Sequence, residues 1–272
     1  MSNELSNKLI VLRLKGSPAD NDKVRLIEFR DFLAKVSDCL NKIDLKVSKR
    51  GKPSLYYRIT DLQAKSASVT IEAVPYRPEL DNSALILDSF VEGSVLIQEK
   101  KQIPLEFDRE LLEAFRGLTA TLNKHVTSIQ IMRQNKTIEI TKQLESNIES
   151  ILGEDITSEG SMEGFLEAVN VHHQNNFYIY PTITPTRIAC IFPIEMLPEV
   201  GQALKRYVSV SGLMRYKKIE LYPHQIDVRE IEIYPKENEL PSLASLQGMA
   251  PKATGNLDSV TFVRRLRDAE ET

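Results

Sequence analysis

Near the N-terminus, KLIVLRLKG alternates apolar and polar positions and is rich in strand-forming residues, which predicts a strand. In the next stretch, VRLIEFRDFLAKVSDCLNKIDLKV, Phe29, Phe32, Leu33, Val36, Leu40 and Ile43 recur at helical spacing and make one apolar stripe. Two strands follow, SLYYRITDLQ and SASVTIEAVP, with AKSA as their turn. NSALILDSFVEGSVLIQEK reads as a second helix. FDRELLEAFRGLTATLN reads as a third, capped by Asp108, with Glu110 in its first turn and a stripe of Leu111, Phe115, Leu118 and Leu122. VTSIQIMRQNKTIEIT is a hairpin turning at Gln134-Asn135, and KQLESNIESIL a short connecting helix. This order predicts an α+β domain over residues 1–158, an antiparallel sheet with helices on one face.

A boundary is expected near Gly160, and beyond it the pattern changes. MEGFLEAVNVHHQ, NFYIYPTI and TRIACIFP read as strands, IEMLPEVGQALK as a helix, and RYVSVSGLMRYKKI and HQIDVREIEIYP as two more strands. Residues 159–236 thus resemble, by element order, an OB-fold: a five-stranded Greek-key β-barrel with a helix between its third and fourth strands. Another small barrel or a β-sandwich also fits the pattern. Val208 and Val210 are expected to face inward, Gly212 to let the strand bend, and a bulge to interrupt Ile226, Val228, Ile231 and Ile233 at Arg229-Glu230.

Composition adds limits. The chain has 272 residues, 42% hydrophobic and 27% charged, with a net charge of -3, so a packed core is expected and a general field for nucleic acid is not. No apolar run approaches the roughly 18 residues of a membrane span, and the N-terminus lacks a secretion pattern, so the expected compartment is the cytoplasm. Cys39 and Cys190 lie among apolar residues without a CxxC partner and read as buried thiols. His172 and His173 are adjacent at a turn, HHQNN, and make a poor metal pair; His125 and His224 are isolated and read as surface residues. No GxGxxG, P-loop or GxSxG occurs, and the carboxylates are scattered among Lys and Arg. Neither an enzyme activity nor a cofactor is expected.

One candidate for nucleic acid remains. Half of the aromatic residues fall between Phe165 and Tyr234. On FYIYP, Tyr178 and Tyr180 share a face; if Phe177 and Ile179 are core, both tyrosines point outward, where single-stranded bases stack on OB barrels. Arg206, Arg215, Lys217 and Lys218 lie around the fourth strand, within reach of phosphates. Acidic residues of the same stretch offset them, so plain packing or a protein-binding face stays open.

The tail, residues 237–272, carries two short apolar segments. Leu243 and Leu246 stand at i, i+3 before Gly248 and Met249, Pro251 blocks continuation, and KATGN is a joint. In LDSVTFVRRLRD, Asp258 is a good N-cap, Leu257 and Phe262 have the spacing of a hydrophobic staple, and Val263 and Leu266 extend the apolar edge. Arg264 and Arg265 project from that edge and Arg267 flanks it. Helices this short are marginal alone, so the tail needs a surface, on its own domains or on another protein.

SLQGMAPKATGNLDSVTFVRRLRDAEE resembles the C-terminal tail of VapB-type antitoxins, which join a Gly-containing apolar turn to a terminal arginine-bearing helix. Those tails wrap a PIN-domain ribonuclease toxin, and an arginine reaches its acidic, magnesium-binding active site. Matched by position, the resemblance implies Leu246 and Met249 as first anchor, Phe262 as second, and Arg264, Arg265 or Arg267 as the plug; Leu243, Val263 and Leu266 complete the expected partner-binding set. It stops at the tail. VapB antitoxins are small with a DNA-binding N-terminal module, and no ribbon-helix-helix or AbrB-like hairpin is visible here, so only neutralisation carries over. The leading expectation is a non-enzymatic antitoxin-like protein. The alternatives are an OB-fold protein that binds single-stranded nucleic acid and a structural or regulatory protein whose tail folds back on itself.

Overall fold

A computed structural model describes residues 7–63, 67–184, 186–236, 239, 240, 245, 254, 255 and 257–270, with side chains in the last helix as far as Arg267. The chain divides into two compact units, Met1–Glu159 with Leu213–Ile226, and Gly160–Gly212 with Asp227–Thr272.

The first unit begins with β1 (Leu9–Gly16) and α1 (Leu26–Ser48), followed by β2 (Leu55–Gln63) and β3 (Ser68–Pro75). Two helices follow, α2 (Ser83–Lys100) and α3 (Arg109–Thr119), then the hairpin β4 (Val126–Arg133) and β5 (Lys136–Ile140), then α4 (Lys142–Leu152). The sheet runs β2-β3-β1-β4-β5 with antiparallel neighbours, as the pattern predicts. Alternation along β1 buries Ile10, Leu12 and Leu14, and register places them beside Ile71, Val69 and Ile129 on one face. That face joins Phe32, Val36, Leu40 and Ile43 of α1, Phe90 of α2, Phe115 of α3 and Ile148 of α4 in one apolar core, and Phe29, Leu33 and Leu122 of the predicted stripes pack against it partly buried.

Local signals set the element ends. The Asp108 carboxylate accepts from the Leu111 amide at 3.0 Å and starts α3. Gln134 turns the β4–β5 hairpin with φ 52°. Two buried charges fasten the frame. Arg133 Nε donates to Asp88 at 2.7 Å, and its terminal nitrogens reach the Leu9 and Ala84 carbonyls. Asp44, fully buried on α1, accepts from the Ser54 amide, the Ser54 hydroxyl and the Leu55 amide, which ties the start of β2 to the helix.

The second sheet contains β6 (Ile156–Asn170), β7 (Asn176–Tyr180), β8 (Ile188–Ile191), β9 (Tyr207–Tyr216) and β10 (Gln225–Ile233), in the order β10-β8-β7-β6-β9, and closes on itself. α5 (Leu197–Ala203) lies between β8 and β9, after a single 3-10 turn, Ile194–Met196. β6 starts at Ile156, ahead of the Gly160 boundary expected from sequence. Its first residues are exposed and show no apolar alternation, so the pattern does not mark them as strand. Phe177, Ile179, Val208, Val210, Ile226 and Val228 are buried as expected, and alternation in β10 breaks at Arg229 and Glu230, both exposed. Gly212 is needed for close approach as well as bending: a Cβ there would lie 2.1 Å from the Asp227 carbonyl oxygen.

Cys39 and Cys190 are free and buried, and burial pushes both thiols up. Among the described residues, no helix is long and apolar enough to cross a membrane, and no cluster of three or more His, Cys, Asp or Glu residues could hold a metal ion.

Candidate functional site

Leu243, Leu246 and Met249 of the expected partner-binding set lie outside the described residues. The second apolar segment forms α6 (Ser259–Glu270). Asp258 caps it: its carboxylate accepts from the Val260 and Thr261 amides, both at 3.1 Å. Thr261, through its hydroxyl and its amide, holds the Asp258 carboxyl below the usual range. Leu257 and Phe262 are both half-buried on either side of the cap. The edge beyond is not covered. Val260, Val263 and Leu266 are 62%, 43% and 54% exposed. Arg264, Arg265 and Arg267 are exposed, and no hydrogen bond or ion pair holds them among the described residues. α6 is therefore formed and capped while its apolar edge and its cations face solvent.

The tyrosine face of β7 follows the sequence pattern. Phe177 and Ile179 are fully buried, and Tyr178 and Tyr180 are half-exposed on the opposite face. The guanidinium of Arg187, which sequence reading passed over, sits 4.4 Å from the centre of the Tyr178 ring. Tyr180 pairs in register with Phe165 of β6. Phe165 meets Tyr207 edge-on at 5.0 Å, and Tyr207 lies 5.7 Å from Tyr234. An aromatic row thus crosses β7, β6 and β9 to reach the residue after β10. Its signal in the sequence was only the local density of aromatics, because four separate segments supply it. Glu163 accepts from the hydroxyls of Tyr207 and Tyr234 at 3.4 and 2.9 Å, and its bond to Tyr234 pushes that phenol's pKa up.

Two of the candidate cations, Arg206 and Lys217, are engaged by protein groups. Arg206 donates to the Tyr234 carbonyl at 3.0 Å and lies 3.7 Å from Glu239, so its charge is engaged. Arg215 and Lys217 fall in the segment that groups with the first unit. There Lys217 donates to the Gly153 carbonyl at 3.0 Å and pairs with Asp155 at 2.8 Å. His224, expected at the surface, is instead half-buried between carboxylates, 2.7 Å from Glu220 and 3.8 Å from Asp155. Glu220 also accepts from Arg109 at 2.7 Å. His125 likewise belongs to an ion network, 3.1 Å from Arg25 and 3.5 Å from Asp20. The turn expected at His172 and His173 is present between β6 and β7.

No family model, no curated protein and no solved structure matches the chain.

Proposed function

We propose that this chain is a binding protein that captures and neutralises a partner nuclease through its C-terminal tail, in the manner of VapB-type antitoxins. The observation that carries the reading is α6: a helix capped by Asp258, with Val260, Val263 and Leu266 exposed along it and three exposed arginines beside them. A short helix gains little alone, and an apolar edge of this kind is stabilised by lying in a groove. The arginines suit a partner whose groove ends in crowded carboxylates, where a guanidinium pairs in bidentate fashion. A PIN-domain ribonuclease has that chemistry. The reading predicts such a nuclease encoded beside this chain's gene. RNA cleavage by the purified nuclease should be suppressed by the full chain and restored when the chain is truncated at Pro235. Equal suppression by the truncated chain would sink the reading.

A second reading rests on the second sheet. A closed five-stranded sheet with one helix between its third and fourth strands fits an OB-type barrel. The row from Tyr180 to Tyr234, with Arg187 over Tyr178, offers flat rings to unstacked bases. Fluorescence polarisation with a single-stranded oligonucleotide should then show affinity falling with salt, and weaker binding by Tyr178→Ala and Tyr207→Ala. No binding at low salt removes this reading.

A further inference from the structure

A cleft of about 970 Å³ opens in the first unit, bordered by α1, the segment leading into β2, and the chain just after β3. Its size is that of a small-molecule site. Its wall carries three cations, Arg50, Lys52 and Arg77, and three tyrosines, Tyr56, Tyr57 and Tyr76, and no carboxylate lines it among the described residues. That content departs from a chain whose net charge is -3. Arg50, Lys52 and Arg77 are exposed, and no hydrogen bond or ion pair holds any of their side chains among the described residues. Cations gathered around one concavity without a counter-charge raise its potential and favour an anion.

The tyrosines add a second requirement. The Tyr56 and Tyr76 rings lie 5.1 Å apart, inclined at 45°, and are 39% and 66% exposed, so flat aromatic surface faces solvent beside the cations. The Tyr57 hydroxyl is buried and has no hydrogen-bond partner among the described residues. Burial raises its pKa, which keeps it a donor. A solvated basic patch would need neither a concavity nor aromatic walls. The cleft is also held in shape. Asp44 binds the Ser54 amide at 2.6 Å, the Ser54 hydroxyl at 2.7 Å and the Leu55 amide at 2.9 Å, which fixes the segment next to Arg50 and Lys52. Cations on a braced segment lose less freedom on binding.

We propose that this cleft binds a mononucleotide, with its base against the Tyr56 and Tyr76 rings and its phosphate among Arg50, Lys52 and Arg77. The nucleotide is either free or the 5′ end of a single strand; both present the same base and phosphate. The proposal uses no residue of the tail and stands apart from the partner-binding reading.

The test is calorimetric titration of the full chain with AMP, UMP, inorganic phosphate and a short 5′-phosphorylated oligouridine at low salt. At least one nucleotide probe should bind, and more tightly than inorganic phosphate. The double variant Lys52→Glu/Arg77→Glu should weaken that binding at least about tenfold, since it reverses two of the three charges. Tyr76→Ala should weaken it by roughly tenfold through lost stacking. Glu99→Gln, exposed on α2 and outside the cleft, should change nothing. All four altered residues are exposed, and circular dichroism melting checks that each variant folds. Tighter binding of the oligouridine, lost in the same variants, assigns the strand end as source; equal or tighter binding of AMP or UMP assigns the free nucleotide. No heat with any nucleotide probe, phosphate binding as tightly as the nucleotides, or an affinity unchanged in the double variant overturns the proposal.

Discussion

At the scale of single residues, buried polar groups and close backbone approaches decide what the chain tolerates. Asp44 accepts three hydrogen bonds while fully buried, so Asp44→Ala leaves two backbone amides unmet. The expected cost is about 3 kcal/mol, read as a fall of roughly 10 °C in melting temperature. Nothing in the sequence singled out Asp44, because its partners at Ser54 and Leu55 meet it only once the helix and strand are packed. Gly212 was legible as a special strand position, although its carbonyl neighbour was not. Gly212→Ala sets a Cβ against the Asp227 oxygen and should cost at least about 2 kcal/mol in denaturant melts. The Asp108 cap was legible in full, since a cap is local in sequence.

At the scale of elements, periodicity revealed what alternates and missed what does not. The stripe of α1 and the β4–β5 hairpin follow their apolar pattern, and both formed as predicted. The start of β6 has no such pattern, and the strand begins four residues ahead of the Gly160 boundary expected from sequence. The segment Leu213–Ile226, which holds the end of β9 and the start of β10, groups with the first unit, and ion pairs between residues far apart in sequence tie it there: Lys217 with Asp155, and Glu220 with Arg109. Asp155 is held below the usual carboxylate range, first by the hydrogen bond from Lys217. Burial alone would raise Glu220, but bonds from His224, the Lys217 amide and Arg109 outweigh it and lower its pKa. Both folded-state pKa values are depressed, so the unfolded chain binds more protons as pH falls. The stabilisation is present above the ordinary values of 3.8 and 4.5 and is lost as pH drops through the lower, folded-state values. Melting temperature followed from pH 6 to pH 3 should therefore fall, with the Lys217, Arg109 and His224 pairings weakening together. Glu220→Gln should lie roughly 5 °C below the parent at pH 6, with the gap narrowing toward pH 3. A constant gap would contradict this reading of the network.

At the scale of the whole molecule, the α+β class and the antiparallel first sheet were legible, whereas the sites that bring distant segments together were not. The aromatic row draws on four segments, and the basic cleft takes Arg50 and Lys52 from one stretch and Arg77 from another. α6 could be read in advance because its cap, staple and arginines are contiguous. Its exposed edge implies that it adds little to folding, so removing residues 256–272 should shift the melting temperature by less than about 2 °C. The same edge should be decisive for binding. The most direct measurement is the affinity of the full chain for a PIN-domain ribonuclease encoded beside its gene, compared with Val263→Asp/Leu266→Asp. The account predicts a loss of at least about a hundredfold with an unchanged melting temperature. An unchanged affinity in that variant would contradict it.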